Sequence, residues 1–286
     1  LVDVHLLLLV FGIGYEVTKG LLKNGFHVVI ASRNLEKANQ AKKQILSDLS
    51  SSQLDVMPID LADFESIKTF AQTFKSKFQR LDILVNNAGV LFNKLQKNKN
   101  NIEMQFATNH LGHFLLTSLL IELMPNSKGS RIVSLSSIAH KKSKIFFDDI
   151  NCDSQTKWDT AYAQSKLACL IFADELQRRL TTSGKKILSV AAHPGGADSD
   201  LFKNMPPILM YILRYTFVPL FLHSTENAAK PILKAALDRG LNGGEYFGPA
   251  GLFEMKGPPD IAKRTIYSQR KDIARRLWDK SEELIG

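Results

Sequence analysis

Cysteine is rare in this chain, and its two copies, Cys152 and Cys169, do not form a CxxC pair. Their scarcity argues against a disulfide framework, and their spacing argues against a metal site. Such a composition fits a reducing compartment.

Clean apolar runs of membrane-spanning length are also missing. The most apolar stretch, residues 205–222, contains three prolines and Arg214, whereas a spanning helix needs about 20 apolar residues. We therefore predict a substrate lid or a peripheral membrane contact near residues 200–222, with a buried core helix as the alternative.

Basic residues outnumber acidic ones, and the formal net charge is +9. This charge would favour an anionic partner such as a phosphorylated cofactor, nucleic acid or an acidic membrane surface. No basic stripe with interleaved aromatic residues accompanies it, so we expect no nucleic-acid partner. Local basic groups occur only at residues 141–144 and 270–276. A solvated surface is the simplest interpretation, and contact with a membrane surface is the alternative.

Short apolar runs alternate with amphipathic stretches along much of the chain. An apolar run at residues 4–10 precedes a helical pattern that reaches residue 24, and a strand at 27–31 is followed by a helix at 35–48. The pattern continues with strands at 56–59, 82–85, 131–136 and 187–192 and helices at 63–78, 100–123 and 158–183. This alternation predicts an α/β fold, with a central parallel sheet flanked by helices on both faces. Because no convincing linker interrupts it, we expect one doubly wound domain over residues 1–286.

Glycines follow the first predicted strand. Gly12, Ile13 and Gly14 stand where the N-terminus of a helix could offer backbone N–H groups to a pyrophosphate. Glycines in this position are also ordinary turn residues, so the motif needs support from its context.

The end of the second strand carries a basic residue instead of an acidic one. Dinucleotide-binding folds that select NAD place an acidic residue about 20 positions after the glycines, where it binds the ribose 2′-hydroxyl. Here that region contains Ser32, Arg33 and Asn34. An arginine suits a 2′-phosphate, so these residues predict NADP(H), with a surface arginine as the alternative.

Tyr162 and Lys166 are four positions apart and would share one face of a helix. The lysine ammonium favours the deprotonated phenol, so the tyrosine could exchange a proton with a substrate oxygen. Such a pair alone is usually a surface feature. Ser136 and Ser137 at the end of the fifth strand, and Asn109 in the preceding helix, would meet it at the carboxyl edge of the sheet, where ligands bind.

These motifs together resemble the short-chain dehydrogenase/reductase family over nearly the whole chain. The matching residues are Asn86, Asn87, Ala88 and Gly89 in NNAG, Asp60 and Leu61 after the third strand, Asn109 in TNHLGHF, Ser137 in SLSS, Tyr162 and Lys166 in YAQSK, and Pro194 and Gly195 in HPG. The resemblance implies a Rossmann-type fold in which the glycine, Asp60-Leu61, NNAG and HPG segments bind the cofactor.

The resemblance also implies a role for each polar residue of the site. Tyr162 would be the general acid and base, and Lys166 would support it and bind the nicotinamide ribose. Ser137 would position the carbonyl or alcohol, and Asn109 would support a proton relay. Ser199 stands where the family commonly has a threonine that contacts the carboxamide.

Within the family, the NHLGHFLLT and HPG phrasing is most similar to the retinol-dehydrogenase-like and X-linked dehydrogenase/reductase group. This implies a lipophilic alcohol or carbonyl substrate, such as a retinoid or polyprenoid. It also implies a location in the cytoplasm or on the endoplasmic reticulum membrane. Self-association into a homo-oligomer stays open. Because the sequence begins at Leu1, we expect residues upstream of it, and a signal or anchor there stays open.

The glycine motif departs from the family pattern at its first two positions. The family has TGxxxGxG, and this chain has Leu7 and Leu8 in place of the threonine and the first glycine. A leucine adds a side chain where the backbone should approach the cofactor closely. The alternative to an active oxidoreductase is therefore a catalytically weak relative that acts as a binding or scaffold protein.

Overall fold

The protein is described by a computed structural model over residues 12–49, 53–154, 158–196 and 223–286, and for the backbone also over residues 4–8. Ser199 and the apolar stretch 205–222 lie outside these described residues.

Strands and helices alternate through the described chain. In order they are β1 (Val4–Leu8), α1 (Ile13–Lys23), β2 (His27–Ser32), α2 (Leu35–Asp48), β3 (Leu54–Pro58), α3 (Phe64–Lys77), β4 (Ile83–Asn86), α4 (Met104–Phe106), a π-helical segment (Ala107–Leu111), α5 (Gly112–Leu120), β5 (Arg131–Leu135), α6 (Trp158–Thr182), β6 (Leu188–Ala192), α7 (Thr225–Leu237), β7 (Tyr246–Pro249), β8 (Pro259–Ile261) and α8 (Lys271–Ile285).

The strands form one sheet in the order β3-β2-β1-β4-β5-β6-β7-β8. All neighbours pair in parallel except β7 and β8, which are antiparallel. Leu6 of β1 stands between Val29 of β2 and Leu84 of β4. The strand order reverses between β1 and β4, and doubly wound sheets bind their ligands beyond the carboxyl ends of the strands at such a reversal.

Two apolar cores cover the two faces of the sheet. On β2, Val28 and Ile30 belong to one core, whereas Val29 and Ala31 belong to the other. Successive side chains of a strand point to opposite faces, so this split shows that both faces are covered. It explains why the strands read as continuous apolar runs instead of alternating with polar residues.

The predicted fold class is confirmed, and most element bounds fall within a few residues of the prediction. The helix at 35–48 coincides with α2. The predicted helix at 100–123 begins later, at Met104, because residues 97–103 form a turn that is closed by a bridge between Lys97 and Glu103. No helix in the described ranges is long and apolar enough to cross a membrane.

Candidate active site

Helix α6 carries the predicted catalytic pair one turn apart. Lys166 is buried, and its Nζ donates to the backbone oxygen of Leu135, at the end of β5, over 3.2 Å. Tyr162 is half-buried, and its backbone oxygen accepts a hydrogen bond of 2.8 Å from Ser165 Oγ. Lys166 therefore lies at the carboxyl edge of the sheet, and Tyr162 lies one turn before it on the same helix.

Asn109 ties the loop after β4 to α6. Its side chain is fully buried and bonds both backbone groups of Val90: Oδ1 accepts from the N–H over 2.7 Å, and Nδ2 donates to the carbonyl over 3.1 Å. Nδ2 also donates to Ser165 Oγ over 2.9 Å. Asn109 lies in the π-helical segment, and π-bulges occur frequently at functional sites because they redirect a side chain within a helix.

The NNAG segment lies directly beside this group. Asn86 ends β4, and its Nδ2 donates to Thr117 Oγ1 over 3.0 Å. The backbone N–H of Asn87 donates to Val85, and Ala88 is buried. A Cβ added to Gly89 would stand 2.9 Å from the Nζ of Lys166. The lack of a side chain at Gly89 therefore leaves room for the ammonium group.

The two candidate serines have different environments. Ser136 is buried, and its hydroxyl donates to the backbone oxygen of Lys166 over 2.8 Å, so it serves the packing of α6 on β5. Ser137 is half-buried, and its Oγ accepts from the N–H of Ala139 over 3.2 Å. An accepting hydroxyl keeps its own hydrogen free to donate elsewhere. This distinction favours Ser137, which the family resemblance had indicated.

The glycine turn leads into the first helix. Gly12 has a φ of 57°, which favours glycine, and it immediately precedes Ile13, the first residue of α1. Gly14 is buried, and its carbonyl accepts from Thr18 Oγ1 over 2.8 Å. Among the described residues, no side chain caps the start of α1, so none of them occupies the first backbone N–H groups of the helix, which an anion could bind.

Leu7 and Leu8, which depart from the family pattern, lie within β1. Their backbones pair with Ile30 and Ala31 of β2. The position of the first motif glycine is therefore at the end of a strand in this chain.

The residues predicted for the adenosine side lie together after β2 and β3. Arg33 is 73% exposed, and its Nη1 is 3.8 Å from Asp60 Oδ2. Ser32 Oγ accepts from the N–H of Asn34 over 3.3 Å, and Asn34 caps α2 by accepting from the N–H of Lys37 over 2.9 Å. Leu61 is buried; its backbone oxygen would lie 2.4 Å from a Cβ on Gly112, so helix α5 approaches this loop closely.

The Pro194-Gly195 turn follows β6. Gly195 has a φ of 74°, and an added Cβ would stand 2.5 Å from the backbone oxygen of Met255. Its N–H donates to His193 Nδ1 over 3.2 Å. Both the backbone angle and the crowding therefore require glycine at this turn.

Sequence reasoning missed three buried side chains around Asn109. Ser165 links Asn109 to Tyr162, while His113 Nδ1 and Cys169 Sγ both donate to the backbone oxygen of Asn109. Burial lowers the pKa of His113 to about 3, and the nearby charge of Lys166 adds to this effect, so the ring is neutral. Serine, histidine and cysteine are common buried residues, and only the three-dimensional contact distinguishes these three.

Comparisons with known proteins identify the relatives of this chain. The profile of the family described as short chain dehydrogenase matches residues 10–207. Retinol dehydrogenase 12 of Mus musculus is 39% identical over 280 residues, which cover 96% of this chain and 83% of that protein. Retinol dehydrogenase 11 of Homo sapiens is 36% identical over 277 residues, with coverage of 96% and 83%. Among solved structures, an uncharacterized protein from Mycobacterium Paratuberculosis matches with a TM-score of 0.82 at 30% identity, covering 99% of this chain and 93% of the other.

Proposed function

Because this chain belongs to the short-chain dehydrogenase family, we propose that it is an NADP(H)-dependent oxidoreductase acting on a lipophilic alcohol or carbonyl compound. The observation that carries the proposal is the meeting of Lys166 with Gly89 and of Asn109 with Ser165, which joins three separate motifs in one site. The relatives named retinol dehydrogenase favour a retinoid or a similar isoprenoid as the substrate class. We take residues 1–286 as one domain.

The described residues fit a bound dinucleotide. The uncapped start of α1 after Gly12 would hold the pyrophosphate, and exposed Arg33 would hold a 2′-phosphate. Asp60 and Leu61 would border the adenine, and the Gly89 and Pro194-Gly195 turns would border the nicotinamide half. The contact of Ser199, which lies outside the described residues, with the carboxamide is carried over from the family resemblance alone. When bound, the cofactor supplies or accepts the hydride.

The protein's own residues would handle the proton and the substrate oxygen. In the direction of reduction, the Tyr162 hydroxyl donates its proton to the carbonyl oxygen, and in the direction of oxidation the Tyr162 phenolate takes the proton from the alcohol. Lys166 stabilises the phenolate that remains. The free hydrogen of Ser137 donates to the same substrate oxygen. Asn109 holds the loop after β4 against α6, so that these groups keep their relative positions.

The test of this function is reduction of all-trans-retinal with NADPH, followed by absorbance. Tyr162→Phe keeps the ring but removes the hydroxyl, and general acid catalysis contributes about 10²- to 10⁴-fold. We expect a loss of that order in kcat, with the dissociation constant for NADPH nearly unchanged. A folded Tyr162→Phe protein that turns over at the wild-type rate would contradict the mechanism.

The preference for NADP(H) rests on Arg33 and on the lack of an acidic residue among residues 31–34. Within the described residues, Arg33 forms one ion pair, a long one of 3.8 Å to Asp60, and a phosphate could replace this carboxylate. Arg33→Ala should weaken NADPH binding roughly 10- to 150-fold, as expected for a charge-assisted contact of about 1.5 to 3 kcal/mol, and should leave NADH binding unchanged. Equal affinity of the wild type for NADH and NADPH would refute the preference.

A binding or scaffold protein with weak cofactor affinity is the second candidate. Leu7 and Leu8 favour it, because they place a strand with bulky residues where the family has its first motif glycine. Titration with NADPH, followed by the fluorescence of the dihydronicotinamide, separates the two candidates. Submillimolar binding with turnover supports the enzyme, and no binding supports the scaffold.

We also retain a peripheral membrane contact or substrate lid for residues 205–222 as part of the proposal. It rests on their apolar composition and on the prolines and Arg214 that disfavour a spanning helix.

A further inference from the structure

A cluster of buried polar side chains lies beside Ser137, at the short helical turn that packs against α6. It is centred on His140, which is fully buried in the short helical turn Ile138–Lys142. The Nδ1 of His140 is 2.7 Å from the backbone oxygen of Ser137, and the backbone N–H of His140 donates to the same oxygen over 3.0 Å. His140 therefore contacts the Ser137 carbonyl oxygen with both its backbone N–H and its ring.

The partner atom fixes which ring nitrogen carries the hydrogen. Two oxygens lie near Nδ1 of His140: the Ser137 carbonyl at 2.7 Å and the Tyr246 hydroxyl at 3.4 Å. A backbone carbonyl only accepts hydrogen bonds, and a bare Nδ1 at 2.7 Å from it would bring two lone pairs together, so the geometry favours a protonated Nδ1 that donates to the nearer carbonyl. Nε2 is then the bare nitrogen, and it is buried without a hydrogen-bond partner within the described residues. Burying a polar atom in this way is unfavourable, and the bond that Nδ1 makes offsets part of this cost.

The surroundings of His140 keep its ring neutral. Burial lowers its pKa to about 4. The charged and titratable groups facing it are Lys141, His193, Glu254 and the phenol of Tyr246, whose ring meets the imidazole edge-on with centroids 5.5 Å apart. Lys141 Nζ donates to Glu254 over 2.6 Å, which neutralises that pair locally. A neutral ring keeps the single donor at Nδ1 over the whole range of pH in which the enzyme would be assayed.

The two bonds to its carbonyl orient Ser137. The Ser137 side chain caps the same turn by accepting from Ala139, so the turn Ile138–Lys142 and the serine rotamer are fixed together. Releasing the carbonyl would let the turn open and the hydroxyl move. A displacement of about 1 Å at a reacting group can reduce the rate by 10²-fold.

We propose that His140 is a positioning residue for the reaction, which holds the Ser137 hydroxyl in place through a hydrogen bond from Nδ1 to the Ser137 carbonyl. The inference rests on the proposed function, because Ser137 acts only if the site reduces a carbonyl group or oxidises an alcohol. His140 itself does not touch the substrate.

Three substitutions of His140 distinguish the effect of its hydrogen-bond donor from the effect of its side-chain volume. His140→Leu fills the space without a donor. His140→Asn can place an amide N–H near the position of Nδ1, whereas His140→Gln can place one only near Nε2. We expect His140→Leu and His140→Gln to lower kcat for retinal reduction about 10- to 100-fold, with the NADPH dissociation constant within about twofold of wild type. We expect His140→Asn to recover most of the loss.

A double-mutant cycle shows whether His140 acts through Ser137. In a Ser137→Ala background, His140→Leu should change kcat by less than about twofold, because the hydroxyl to be positioned is gone. Phe74→Leu, a change in the buried aromatic stack of α3, serves as a control for general loss of stability. An undiminished effect in the Ser137→Ala background, or recovery by Gln as complete as by Asn, would overturn the proposal.

The ring tautomer gives a readout that does not depend on turnover. In ¹⁵N-labelled wild-type protein near neutral pH, the His140 signals should show a protonated Nδ1 and a bare Nε2. The opposite tautomer, or a charged ring, would refute the proposed bond. A wild type that reduces no carbonyl substrate would instead refute the proposed function, and the tautomer would then decide whether His140 holds the Ser137 carbonyl.

Discussion

Two buried histidines near Asn109 should make the protein acid-labile. His110 and His113 are buried, and burial lowers the pKa of each from the ordinary histidine value of 6.5 to about 3. Between these values the unfolded chain binds a proton at each ring and the folded protein does not. The stability contributed by the neutral rings is therefore complete above about pH 6.5 and is lost as the pH falls through the window toward pH 3. At pH 5.5, proton uptake by the unfolded state lowers the free energy of unfolding by about 1.4 kcal/mol per ring relative to pH 7.5.

His110→Gln tests this magnitude at one ring. Ser281 Oγ donates to the Leu277 carbonyl, so it accepts from the His110 Nε2 that lies 2.8 Å away. A glutamine amide can donate from nearly the same position without titrating. The free energy of unfolding should therefore fall by about 1.4 kcal/mol less between pH 7.5 and pH 5.5 in the variant than in the wild type.

The assay is urea denaturation followed by tryptophan fluorescence at the two pH values. Ser281→Ala is the matched control, because it removes the hydrogen-bond partner but keeps the titrating ring. We expect it to lower stability by about 1 kcal/mol at both pH values and to leave the pH-dependent loss unchanged. If His110→Gln shows the same loss between the two pH values as the wild type, the reasoning from burial is wrong.

The remaining predictions concern the cofactor loops and the apolar stretch. Gly89→Ala should lower kcat roughly tenfold with little change in thermal stability, because the new Cβ would stand 2.9 Å from Lys166 Nζ and displace the ammonium; an unchanged kcat would show that the ammonium can move without consequence. Joint Leu7→Thr and Leu8→Gly substitution should tighten NADPH binding, as titration of cofactor fluorescence would show, and an unchanged dissociation constant would mean that the leucines do not obstruct the phosphates. Substitution of Leu209, Tyr211 and Leu213 by serine should reduce the fraction of protein that floats with liposomes. Equal flotation of the variant and the wild type would contradict the membrane contact and leave the lid interpretation.

The fold was largely predictable because its signals are local. Each buried strand is a short apolar run, and helix α2 begins at a capping asparagine, Asn34, and has a polar face. The elements of the last third were not predicted. Strands β7 and β8 are short, and α8 depends on long-range packing, since Trp278 meets Phe114 edge-on and stacks with Phe172, both on other helices.

The sequence could indicate which residues belong to the candidate site, but not which hydrogen bonds each of them forms. Spacing placed Tyr162 and Lys166 on one helix face, and strand ends placed Ser136 and Ser137 at the same edge. Sequence could not separate the two serines, because the difference lies in whether the hydroxyl donates to Lys166 or accepts from Ala139. The π-helical segment around Asn109 could likewise not be predicted from the sequence, since its residues also suit an ordinary α-helix.

His140 illustrates why positioning residues escape sequence reasoning. It stands three residues after Ser137, and that spacing alone would suit a surface turn with the basic residues that follow it. Its burial depends on Tyr246, more than 100 residues away in the chain, and on Glu254, which draws Lys141 into an ion pair. Because every residue has a backbone carbonyl, the sequence does not show which residue accepts such a hydrogen bond. The group proposed to move the proton can therefore be inferred from a sequence motif, whereas the residue proposed to position Ser137 is recognised only from contacts between distant parts of the chain.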